Sequence, residues 1–175
     1  MTEKMLVVVF DDETKAYEGS RALAQLDGEG SISIHGEVVV KKNPDGTVTA
    51  KEFDDDFPIR TATGTAIGAL IGILGGPIGV VVGTGTGALA GYFADLARSG
   101  VNADYLDDVS AKLTPGKWAV VSDISEEWET PVDTKMQELG GTVLRQTRWS
   151  VVEEQDARDE AEFNAEIASL KEEQA

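Results

Sequence analysis

Apolar residues fall in short blocks separated by polar, glycine- and proline-bearing breaks. Met5 to Phe10 is a valine-rich run closed by Asp11 and Asp12, which predicts a strand. Either aspartate can cap a following helix, whose apolar side is Ala16, Tyr17, Ala22, Leu23, Ala24 and Leu26. Gly28 and Gly30 end that helix. Ser31 to Lys42 alternates in places, at Ile32 and Ile34 and then Val38 to Val40, and predicts a second strand. Asn43-Pro44-Asp45-Gly46 is a turn, and Thr47 to Phe53 returns as the other arm of a hairpin.

The far end repeats this grammar. Asn102 to Leu113 predicts a helix closed by Thr114-Pro115-Gly116, and Lys117 to Asp123 a strand. Ser125 to Leu139 predicts a helix capped by Asp123 or Ser125 and stopped by Gly140-Gly141. Thr142 to Trp149 predicts a last strand. Two β-α-β halves of this kind predict an α+β fold, a ferredoxin-like sheet with its helices on one face. The expected division is residues 1–53 and 102–150 for the two halves, 54–101 for an insertion, and 151–175 for an acidic C-terminal helix or tail.

The insertion carries the most unusual pattern. Thr61 to Ala94 holds 34 residues without a charge. Its glycines advance in steps of four: Gly64, Gly68, Gly72 and Gly76, then Gly79, Gly83, Gly87 and Gly91. On a helix that spacing makes a stripe, where missing Cβ atoms let another backbone approach closely. Gly75-Gly76-Pro77 breaks the run, so the expectation is a glycine-zipper helical hairpin with arms Thr61–Leu74 and Ile78–Ala94. Each mid-helix glycine costs about 1 kcal/mol relative to alanine, so close helix packing has to offset them. Both arms are apolar nearly all round, which suits burial in protein or in lipid. Arms of 14 and 17 residues are about 21 and 26 Å long, short of a roughly 30 Å hydrocarbon core. No basic cluster flanks them, and Asp54-Asp55-Asp56 would meet the headgroups, so burial between protein chains is the favoured environment.

The tail from Val151 to Ala175 has nine acidic and two basic residues. It keeps a helical stripe, Phe163, Ile167 and Leu170, which suits either a solvated helix or one docking on a neighbouring subunit.

Composition narrows the function. A net charge of −17 opposes binding to nucleic-acid phosphates and adsorption to an anionic lipid surface. With no cysteine there are no disulfides, thiolate nucleophiles or cysteine-held metals, and one histidine, His35, excludes a multi-histidine metal site in one chain. The start MTEKMLVVVF lacks the basic n-region and long apolar core of a secretion signal, so a cytoplasmic location is expected. Catalytic chemistry is hard to find. A lone mid-strand histidine is ordinarily structural, Asp54–Asp56 lack Ca²⁺-loop spacing, and Asp107-Asp108 read as surface charge. Gly83-Thr84-Gly85-Thr86-Gly87 lacks the Gly-Lys-Ser/Thr ending of a phosphate loop. Trp118, Trp128 and Trp149 have no interleaved basic residues for nucleotide stacking.

The segments LVVVFDDETKAYEGSRAL, GTAIGALIGILGGPIGVVVGTGTGALAGYFAD and VNADYLDDVSAKLTPGKWAVVSDI resemble a family of uncharacterised bacterial proteins. That family is grouped as a domain of unknown function, and its members often carry the label of predicted membrane protein or, in some relatives, a general-stress label. The helix, Leu-x-Pro-Gly, strand pattern at Leu113 to Val121 is the most specific part, and the resemblance covers residues 5 to 150. It implies a ferredoxin-like domain with an inserted glycine-rich hairpin, and no catalytic residues; no metal or cofactor is expected from the residues themselves. The expected function is non-enzymatic self-assembly, with the chain itself as partner through the eight zipper glycines and Phe163, Ile167 and Leu170 docking the tail. The alternatives are a membrane-associated protein with the hairpin inserted and a small-ligand sensor, its ligand unknown.

Overall fold

The computed structural model describes residues 1–51, 65–75, 80–81 and 102–147. They build a six-stranded sheet with helices on both faces. In chain order the elements are β1 (Thr2–Phe10), α1 (Glu13–Gly28), β2 (Ile32–Lys42), β3 (Val48–Lys51), α2 (Thr65–Leu74), β4 (Val80–Val81), α3 (Ala103–Lys112), β5 (Trp118–Glu126), α4 (Thr130–Glu138) and β6 (Thr142–Thr147). The spatial order is β4-β3-β2-β5-β1-β6. The five longer strands are antiparallel to their neighbours, and the two-residue β4 pairs parallel with β3.

The central strands explain their own composition. β1 is buried from Lys4 to Phe10 and β5 over its whole length. A strand covered on both sides needs apolar residues at both phases, so it reads as a continuous run instead of an alternation. Leu6, Val8 and Phe10 point into one layer with Val120, Ile124, Leu23 and Leu26 of α1, and Val132 and Met136 of α4. Met5, Val7 and Val9 point into the other, with Ala119, Val121, Ile67, Leu70, Ile71 and Leu74 of α2, and Tyr105, Leu106 and Val109 of α3. The expectation of helices on one face only is therefore corrected: α1 and α4 cover one face, and α2 and α3 the other.

Local signals set the ends. Asp12 caps α1 by accepting from the Lys15 amide at 2.8 Å, and Gly30 leaves the helix at a φ of 76°. The hairpin turn is held by Asp45, whose carboxylate accepts from the Thr47 amide at 2.9 Å and hydroxyl at 2.7 Å, with Gly46 at a φ of 86°. Asn102 caps α3 through the Asp104 amide at 2.6 Å. The Leu113-Thr-Pro-Gly turn is pinned to β2, where the Gly116 amide donates to the Lys42 carbonyl at 2.8 Å.

Two more expectations change. The helix expected from Ser125 starts at Thr130, because β5 runs on to Glu126. Ser125 pairs with Glu3 and Ser33, and Glu126 with Thr2 and Ile32, so two flanking strands hold these residues extended. Asp123 and Ser125 are thus strand residues and not caps, and Pro131 stands in the first turn of α4. The second hairpin arm, expected as helix from Ile78, has Val80–Val81 extended beside Val48 and Thr49. The outer edge of β3 offers unpaired backbone groups, and β-branched valines take them. The rest of that arm lies outside the described residues. In the first arm, α2 ends where the Gly75 amide bonds to the Ile71 carbonyl and Lys42 Nζ donates to the Leu74 carbonyl at 2.5 Å. That ammonium is a favourable cap for a helix C-terminus, and its burial there lowers its pKa.

Candidate functional site

One end of the sheet gathers the polar chemistry: the start of β1 and the ends of β5 and β6. Glu126 is fully buried at the end of β5. Its Oε1 lies 3.2 Å from Lys4 Nζ on β1 and 3.0 Å from Arg145 Nε on β6. Lys4 also donates to Glu129 Oε1 at 2.5 Å, and Arg145 reaches Asp133 of α4 at 2.7 Å. The hydrogen bond from Lys4, aided by the Arg145 charge, holds the Glu129 carboxyl below its ordinary range. Removing charges from water is costly, so a buried cluster persists only when each charge is paired. Both cations are engaged by carboxylates, so the cluster clamps α4 and β6 to the sheet and presents no unengaged cation to a ligand.

Farther along the same face, Glu37 of β2 is half-buried under α1. Ser20 of α1 donates to its Oε1, and Ser122 of β5 to its Oε2 at 3.0 Å. Burial pushes this carboxyl up to about 7, against the two serine hydroxyls that favour the ionised form, and the nearby Asp27 charge adds to the rise. Glu37 reaches this face through a bulge, since Ile34 pairs with Ile124 and Gly36 with Asp123. The bulged residue is His35, exposed, with Nε2 2.7 Å from Ser125 Oγ. A serine hydroxyl beside an imidazole is the starting geometry of nucleophilic catalysis, but that chemistry also needs an oriented base and an oxyanion site. The His35–Ser125 pair stands on an open strand and ties the bulge to β5.

A groove of about 270 Å³ runs between α1 and α4, lined by Glu18, Arg21, Ala22, Gln25, Lys135, Glu138 and Leu139. Its charges are mixed. Among the described residues no three His, Asp or Glu side chains converge to hold a metal ion. Among the same residues no helix is long and apolar enough to cross a membrane.

The residues expected to mediate packing are placed unevenly. Gly68 and Gly72 lie on α2; Gly68 is exposed, with nothing among the described residues within 4 Å of where a Cβ would stand, and Gly72 is buried. Gly64, Gly76, Gly79, Gly83, Gly87 and Gly91 lie outside the described residues, as do Phe163, Ile167 and Leu170, Asp54–Asp56 and the Gly83–Gly87 loop motif. Asp107 and Asp108 are exposed on α3. Trp118 is buried, with its ring 6.5 Å from Tyr17 and Lys41 Nζ 5.6 Å from its centroid, while Trp128 stands 69% exposed.

Sequence reasoning missed Lys4, Glu126, Arg145 and Glu37. A signal existed for one of them. In Trp118–Glu126 the even positions Trp118, Val120 and Ile124 are core residues, so the same phase carries Glu126 inward. For Glu37 the bulge resets the phase, and nothing local announces it.

No curated protein and no solved structure matches the chain. A family does match over residues 61–161, more than half of the chain, from the glycine-rich segment through β6 and into the tail. The opening residues 5 to 60, which also carried the resemblance, lie outside that match, and the Leu113-Thr-Pro-Gly turn with the strand after it lies within. On that match the chain belongs to the family described as Protein of unknown function (DUF1269).

Proposed function

We propose that this is a non-enzymatic protein that associates with copies of itself through the glycine stripe of its inserted segment, built on a ferredoxin-like domain. The strand order β2-β5-β1-β6, assembled from β1-α1-β2 and β5-α4-β6, supports the ferredoxin-like reading. One observation carries the functional one. Helix α2 buries Ile67, Leu70, Ile71 and Leu74 against its own sheet, while among the described residues nothing stands within 4 Å of a Cβ at Gly68 beside them. A mid-helix glycine costs about 1 kcal/mol. Contacts within the described fold do not offset that cost, because nothing approaches the Cβ position. A second helix resting on that strip would.

The test separates monomer stability from assembly. Gly68→Leu places a side chain in space that is empty among the described residues, so the monomer is expected to melt no lower than the parent. At a helix–helix contact the same side chain separates the backbones, where overpacking costs about 1–3 kcal/mol per site. Light scattering in detergent-free buffer is expected to give a larger particle for the parent than for the variant. A monomeric parent, or a variant that assembles normally, removes the proposal.

A further inference from the structure

Glu37 stands where three elements meet. It lies on β2 opposite Ser122 of β5, and its two carboxyl oxygens accept from Ser122 and from Ser20 of α1. Both serines are buried. The charged groups around it are few. α1 supplies Asp27, whose carboxylate accepts from the Ile34 amide at 2.9 Å and so ties the end of the helix to β2. On β5 the neighbours of Ser122 in this layer are Val120 and Ile124, and Ser122 pairs across with Leu6 of β1. On β3 the basic position is Lys51, in register with Val39. The ion pairs of Lys4, Lys15, Lys117 and Arg145 all go to other carboxylates. Glu37 is therefore held by two neutral hydroxyls. A hydroxyl both donates and accepts, so the same serines can satisfy the carboxylate or the protonated acid.

We infer that Glu37 is a proton-operated latch for α1. With its proton, the side chain bonds the helix to the sheet. Without it, a charge buried beside the like charge of Asp27 draws in water, and α1 lifts from β2 as a unit. The helix is the element that gives way. β2 and β5 are joined by a backbone ladder along their whole shared length, whereas Ser20–Glu37 and Asp27–Ile34 are side-chain ties between α1 and β2. Burial puts the titration in a useful range: about 7 in the docked helix, against 4.5 for a carboxyl in water. A raised pKa means that the docked state holds the proton more tightly. The latch is therefore whole below about 4.5 and loosens as pH rises through about 7. It lies on the face opposite α2, so it is separate from association through Gly68.

Amide hydrogen exchange in the full chain tests this, with each rate divided by its intrinsic rate at that pH. Parent and Glu37→Gln are compared from pH 5 to pH 8. In the parent, protection of the α1 amides is expected to fall by about tenfold or more across that range. In the variant, whose side chain never ionises, that fall is expected to be absent. At every pH the α1 amides of the parent are expected to be less protected than those of β5, which marks the opening as local. Coincident protection of α1 and β5 at every pH overturns the inference, because Glu37 would then report on unfolding of the whole chain. That comparison needs no variant. A parent whose α1 protection does not change with pH also overturns it, the result that an ion pair with Lys51 would give. So does a variant that loses α1 protection as steeply as the parent, which would place the titrating group elsewhere.

Discussion

Glu37→Gln isolates the pH dependence that a buried carboxyl confers. In the folded chain this carboxyl titrates near 7, raised from 4.5 by burial. A group whose folded pKa lies above its unfolded value binds its proton more tightly in the native state. Its contribution to stability is whole below about 4.5 and is lost as pH rises through about 7. The difference of roughly 2.5 pH units corresponds to about 3 kcal/mol at 1.36 kcal/mol per unit, a ceiling because the side chain is only half-buried. Glutamine keeps the shape, still accepts from Ser20 or Ser122, and never ionises. At pH 4 parent and variant should unfold at similar urea concentrations. At pH 8.5 the variant should be the more stable by up to about 3 kcal/mol. Comparison with the variant is essential, because the carboxyls of Asp45 and Glu129 are lowered by their hydrogen bonds and act in the opposite sense, losing stability as pH falls. Urea titrations followed by circular dichroism from pH 4 to 9 read the effect as the parent–variant difference. A difference that stays constant across that range refutes the reasoning, since it would mean that Glu37 titrates alike in folded and unfolded chains.

Two further predictions probe the packing. A Cβ at Gly141 would stand 2.7 Å from Phe10 Cε1 and from Val8 Cγ1, so Gly141→Ala should lower stability by about 1–3 kcal/mol, measured by urea denaturation. Glu126→Gln leaves Lys4 and Arg145 facing a neutral group in a buried site; removing one partner of a buried pair costs about 3–5 kcal/mol, and the low end is expected because Glu129 and Asp133 still pair with them. A loss below about 1 kcal/mol would show that those two carboxylates suffice.

What the sequence determined by itself is the local grammar. Asp12 and Asn102 as helix caps, the Asn43–Gly46 turn and the glycine stop at Gly30 each act through a hydrogen bond or a positive φ within a few residues, so neighbouring letters carry the whole cause. The run Met5 to Phe10 even encodes burial on both faces, because a one-sided strand has no need of valine at both phases. Tertiary structure decided everything that depends on partners distant in the chain. Ser125 and Glu126 became strand instead of helix because β1 and β2 flank them, and Val80–Val81 became strand because β3 had an open edge. Glu37 took its inward position from a bulge, and Lys4, Glu126 and Arg145 met only through the pairing of β1 with β5 and β6. Register is a property of two strands together, and a shift of one residue turns every side chain to the other face. No reading of either strand alone could therefore have placed that cluster.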